Sequence, residues 1–153
     1  MPKTDERATV PALDASALER LTAALGVEGV VAALLFGSRA RGQAGPLSDV
    51  DVAVWLDPRL DRQRAGELRL ELADAAARAL GTGEVDLVVL NGAPPLLGHR
   101  ARRGGRLILD RAPRERIRLE TAALLEFLDT APLRDELASG RRRRLAEGRF
   151  GRR

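Results

Sequence analysis

The chain of 153 residues has no cysteine and no tyrosine, and a single histidine. Lys3 is its only lysine. Without cysteine there is no disulfide framework, no thiolate nucleophile and no thiolate metal site. One histidine, His99, does not build a multi-histidine metal centre. On its short arginine-rich stretch it is expected to be a surface residue rather than a catalytic base. Aromatic residues make up only 3%, which leaves no stacking platform for single-stranded nucleic acid. No apolar run reaches the roughly 18 residues of a membrane span. The opening stretch MPKTDERATVPALD is charged and lacks the apolar core of a signal peptide. A cytoplasmic protein without membrane contact is expected.

What is present fits one globular domain over residues 1–153. Hydrophobic residues reach 44%, an ordinary share, and the length allows a normal core. The formal net charge is +4 and the pI about 11.0. Nearly all the positive charge is arginine, alongside abundant Ala, Leu and Gly, which matches the bias of a GC-rich genome. The basic balance therefore does not single out nucleic acid as a direct substrate. There is no internal repeat and no second domain. The core is expected over about 17–129, and the arginine-rich stretch 141–153 reads as a fraying helix or a tail.

Periodicity divides the chain. Ser16-Ala-Leu-Glu19 has the capping-box pattern, followed by Leu18, Leu21 and Leu25 at helical spacing and a stop at Gly26. Val30 to Phe36 is continuously apolar, as in a strand buried on both faces. From Asp49 to Leu56, Val50, Val52, Val54 and Leu56 share one face, and Asp49, Asp51, Ala53 and Trp55 share the other. Asp57-Pro58 reads as an N-cap with proline at the first helical position, opening a helix that Gly81 ends. Glu84 to Leu90 is a third strand, Pro94 to Arg103 a short helix, and Arg106 to Leu109 a fourth strand. From Pro113 to Leu128, Ile117, Thr121, Leu124 and Leu128 form a helical stripe.

The most informative stretch is LLFGSRARGQAGPLSDVDVAVWL, residues 34–56. A strand runs into Gly37-Ser38, and the next strand opens with Asp49-Val50-Asp51. Alternation puts Asp49 and Asp51 on one side, where two carboxylates repel unless a cation lies between them. Hard divalent cations such as Mg²⁺ take oxygen ligands and bind together with substrate phosphates. A Gly-Ser turn suits phosphate, because glycine admits close backbone approach and a following helix offers free N–H groups. Asp86, near the start of the third strand, could bring a third carboxylate to the same point if that strand lies beside the second. Arg39 and Arg41 flank the turn. Either could reach phosphate oxygens, or serve as a solvated or ion-paired loop charge. Ser48 is expected to brace the turn, and Trp55 to pack.

Gly37-Ser38, ten residues, Asp49-Val50-Asp51 and then Asp86 together resemble the polymerase-β-type nucleotidyltransferase superfamily. GSRARG and SDVDVAV match its motif positions, and VDLVVLNGAPPLL is similar to its third-strand region. The likeness runs from about Ala17 to Asp129. Within the superfamily the chain is most similar to the minimal nucleotidyltransferases (MNT) paired with HEPN-domain ribonuclease toxins. The resemblance implies an α/β fold, a small mixed sheet with helices mainly on one face. It implies that Gly37 and Ser38 hold the triphosphate of ATP; Arg39 and Arg41 stand beside them as candidate nucleotide-binding residues on the chemistry of the turn alone. It implies that Asp49, Asp51 and Asp86 are catalytic and carry two Mg²⁺ ions, with Asp86 also helping to deprotonate the acceptor hydroxyl. Such ion pairs lie roughly 3.5–4 Å apart and clamp attacking and leaving oxygens. The implied reaction moves AMP from ATP to a tyrosine of the HEPN toxin, releases pyrophosphate and silences the toxin. Two rivals are an aminoglycoside-type transferase acting on a small molecule, and an antitoxin that works by docking alone. The first usually carries an extra helical domain, and the second usually loses a carboxylate. The run Arg141–Arg144 is either a solvated face or a docking surface for an acidic partner or RNA.

Overall fold

A four-stranded mixed sheet organises the molecule. The computed structural model describes residues 13–45 and 48–146. Along the chain come α1 (Ala15–Leu25), β1 (Val30–Phe36), α2 (Gly37–Ala40), β2 (Val50–Leu56), α3 (Arg62–Leu80), β3 (Val85–Val89), α4 (Pro95–Gly104), β4 (Arg106–Asp110), α5 (Pro113–Asp129) and α6 (Ala131–Ala146). The strand order is β3-β2-β1-β4. β1 pairs antiparallel with β2 and with β4, and β2 pairs parallel with β3. The α/β class and mixed sheet are those expected from the sequence, while the helices cover both faces of the sheet, α1 and α3 one and α4 and α5 the other.

The continuous apolar run of β1 is explained by burial on both faces. Val30, Ala33 and Leu35 enter one cluster, and Val31, Ala32 and Leu34 enter the other. β2 splits as its alternation requires. Val50, Val52, Val54 and Leu56 face the larger cluster with Leu21 and Leu25 of α1 and Leu68 and Leu72 of α3. Ala53 and Trp55 face the smaller one with Leu90 and Ala101, covered by α4 and by Leu119 and Ala123 of α5. Trp55 is 2% exposed, so it packs.

Two helix starts differ from the sequence reading. α1 is capped by Asp14, whose Oδ1 accepts from Ala17 N at 2.7 Å. Ser16 lies inside the helix, where its Oγ accepts from Arg20 Nη1. α3 begins at Arg62, with Asp61 Oδ1 accepting from Arg64 N at 2.7 Å. The Asp57-Pro58 start is wrong for a physical reason. Asp57 N donates to Gly29 O, and Leu60 N closes a turn on Asp57 O. The chain stays anchored to the sheet long enough for Leu60 to reach the core. Gly81 ends α3 in the left-handed conformation at φ 66°, as expected of a glycine C-cap.

The stripe Ile117, Thr121, Leu124 and Leu128 is helical but does not face the sheet. Ile117 and Leu128 are each 54% exposed, and the opposite side of α5 packs. Residues 141–146 continue α6; the rest of the arginine-rich end lies outside the described residues. Among the described residues no helix is long and apolar enough to cross a membrane.

Candidate active site

Strand register assembles the site. Asp51 sits on β2 with Phe36 of β1 as its cross-strand partner on one side. On its other side is Asp86 of β3. Parallel pairing in register sets the two carboxylates side by side on one sheet face. Gly37 follows Phe36 directly and has φ 73°, a conformation that side chains other than glycine rarely adopt. The space is closed as well: a Cβ there would lie 1.9 Å from Asp51 Oδ2. Glycine therefore lets the backbone of the turn lie against the carboxylate. α2 begins at this residue, so a short helix leads out of the strand.

The loop between α2 and β2 is braced from within. Arg39 Nε donates to Ser48 O at 2.9 Å. Gly45 N donates to Ser48 Oγ at 3.0 Å. Ser48 thus holds the turn together, and Arg39 ties its two ends. Arg41 is exposed and points another way, lining a cleft of about 690 Å³ with Phe36, Gly37, Leu96, Leu97 and Arg100. His99, Arg103 and Gly104 complete that cleft.

Electrostatics marks Asp51 as the centre. Its carboxyl is pushed above the usual carboxylate range, first by burial and then by the charges of Asp86 and Asp49, while Arg41 opposes the shift. Asp51 is half-buried, whereas Asp49 and Asp86 are exposed. The fold brings Asp51 and Asp86 together as neighbours, and Asp49 contributes its charge from two residues upstream. Among the described residues, no three carboxylate or imidazole groups are gathered into a ready metal cage. The donor chemistry fits a hard divalent cation: carboxylate oxygens whose mutual repulsion a cation would relieve.

Sequence reasoning passed over the cleft's second wall. Leu96, Arg100 and Arg103 fall at i, i+4 and i+7 of α4 and share a face, a signal readable once the helix is placed against the turn. His99 also departs from its surface assignment. It is half-buried and stacks on Phe127, with ring centroids 3.9 Å apart.

Comparison with known proteins places the fold and the family. No curated protein sequence matches the chain. Among solved structures, the fold is similar to a chain of a toxin–antitoxin complex with AMP-PNP, at TM-score 0.65 and 23% identity over 84% of this chain and 98% of that one. It is similar to a chain of a tri-AMPylated Shewanella oneidensis HEPN toxin in complex with MNT antitoxin, at TM-score 0.61 and 21% identity over 81% and 94%. It is also similar to a chain of the toxin–antitoxin MntA-HepT, at TM-score 0.61 and 21% identity over 81% and 95%. At such identities the likeness speaks to the fold. The sequence itself matches the model of the family described as Polymerase beta, Nucleotidyltransferase over residues 20–114. That span contains the Gly-Ser turn, all three carboxylates and the arginine-lined cleft, and the chain belongs to the polymerase-β nucleotidyltransferase family.

Proposed function

We propose that this chain is a Mg²⁺-dependent nucleotidyltransferase that moves AMP from ATP to a tyrosine of a HEPN-domain toxin and thereby acts as its antitoxin. A cytoplasmic location goes with this reading. The observation that carries it is the in-register pair Asp51–Asp86 set against Gly37, with the cleft of Arg41, Arg100 and Arg103 beside it. The neighbouring fold held with AMP-PNP and the tri-AMPylated HEPN toxin complex support the choice of nucleotide and acceptor.

Each residue has a role in this reading. Gly37 and Ser38 receive the triphosphate on backbone N–H groups, and Arg41 neutralises phosphate charge from the cleft. Arg39 holds the loop closed behind it. Asp49, Asp51 and Asp86 would hold two Mg²⁺ ions, which supply charge neutralisation for the phosphates when bound. Asp86, exposed at the edge of the pair, accepts the proton of the acceptor hydroxyl. The hydroxyl oxygen then bonds to the α-phosphorus as the bond to the β-phosphate oxygen breaks, and pyrophosphate leaves. Positioning and charge dominate such transfers.

An Asp86→Asn variant tests the reading. It should fold and bind the toxin, yet leave it unmodified by mass spectrometry and leave co-expressing cells poisoned. If the variant protects cells as well as the parent does, docking alone suffices and the enzymatic reading falls.

A further inference from the structure

Helix α6 is placed unlike the other long helices. It follows α5 after one residue, Thr130, and packs against the end of α5 rather than over the sheet. Leu133 and Leu137, four residues apart and so on one helical face, are 58% and 62% exposed. Further along, Arg141, Arg142 and Arg144 are exposed too. A helix of this length with Ser139-Gly140 at its middle gains little stability in water by itself, so its apolar face calls for a partner.

The base of this helix is nevertheless locked. Arg134 Nη1 donates to Phe127 O at 2.6 Å and to Thr130 Oγ1 at 2.5 Å. Its guanidinium lies 3.7 Å from the Phe127 ring centroid. His99 stacks on the same ring, nearly parallel, at 3.9 Å. Two groups so close to one centroid must occupy opposite faces, so Phe127 is sandwiched between α4 and α6. His99 also lines the cleft beside Gly37. One ring stack therefore separates the root of α6 from the nucleotide cleft.

We infer that α6 is a docking arm for the acceptor protein, and that it takes an apolar helical surface edged with carboxylates. Leu133 and Leu137 supply the apolar contact, and the arginine run supplies charge complementarity and steering. A partner held on the arm would be delivered to the side of the cleft marked by His99. This inference rests on the reading of the chain as a transferase acting on a HEPN-domain protein.

Two variants of the full chain test it, L133S/L137S and R141E/R142E/R144E, against the cognate HEPN-domain toxin of the proposed pair. Each should bind that protein about tenfold more weakly or worse, raise the KM for it in AMP transfer, and bind ATP in calorimetry as the parent does. Parental affinity for the partner in both variants overturns the inference. So does a parent that sediments as a dimer, becomes monomeric in the leucine variant and keeps its partner affinity, because the face then belongs to a second copy. Loss of RNA binding in the arginine variant with partner affinity unchanged overturns it as well. A parent that transfers no AMP, while both variants lose the partner, leaves the arm standing and removes the transferase reading instead.

Discussion

Gly37→Ala is the sharpest probe of the site, because the molecule contains its own control. Gly37 has φ 73° and Gly92 has φ 71°. Alanine at either position adopts a left-handed conformation that costs roughly 1–2 kcal/mol. The two differ in what a new methyl group meets. At Gly92 nothing lies within 4 Å. At Gly37 the Cβ would stand 1.9 Å from Asp51 Oδ2, 2.8 Å from its Cγ and 3.2 Å from its Cβ. Rotating the carboxylate about its last torsion moves only the oxygens and leaves the Cγ contact unrelieved. The whole Asp51 side chain, or the strand beneath it, must shift by about 1 Å, and misplacement of that size costs about a hundredfold in rate. In a chain of this size each kcal/mol changes Tm by roughly 2–4 °C. Both variants should therefore melt about 2–8 °C below the parent from backbone strain, with Gly37→Ala lower still. Only Gly37→Ala should lose AMP transfer. Scanning calorimetry and labelled-AMP transfer check the pair. Equal losses in the two variants, in both assays, would refute the claim that glycine at 37 exists to admit the Asp51 carboxylate.

Asp51→Asn should abolish transfer and, in metal-free protein at neutral pH, raise Tm. Folding pushes the Asp51 carboxyl above its ordinary value of 3.8, so the ionised form is the one the fold disfavours. The gain should be full above the folded pKa and vanish as pH falls toward 3.8; a gain independent of pH, or a loss at neutral pH, would count against crowding at this group. Asp49→Asn should also abolish transfer with the fold intact, as circular dichroism would report. Calorimetry with ATP should give clear binding with Mg²⁺ and much weaker binding in EDTA, and equal affinity in both would argue against the carboxylates as a metal site.

Much of the architecture was legible where a local pattern is unambiguous. The apolar run Val30–Phe36 gave a strand with the expected bounds, because a continuous apolar stretch ahead of a Gly-Ser turn suits burial on both faces. The alternation of β2 assigned Val52 and Trp55 to opposite clusters correctly. Helix starts were less legible, since Asp14 and Ser16, and again Asp57 and Asp61, are capping-competent residues close together. The choice between them was made by contacts distant in sequence, such as Asp57 N to Gly29 O.

Sequence alone determined that Asp51 shares a side of its strand with Ala53 and Trp55 and that glycine precedes it in a turn, because a strand's period of two and glycine's conformational freedom are properties of a few neighbouring residues. Only the tertiary structure decided that Asp86 lies beside Asp51, that Arg100 and Arg103 form the opposite wall of the cleft, and that the stripe Ile117–Leu128 turns away from the core. Periodicity says which residues share a face, but the element that covers that face comes from elsewhere in the chain. The parallel pairing of β2 with β3 joins residues 35 positions apart, and nothing within either strand records its neighbour.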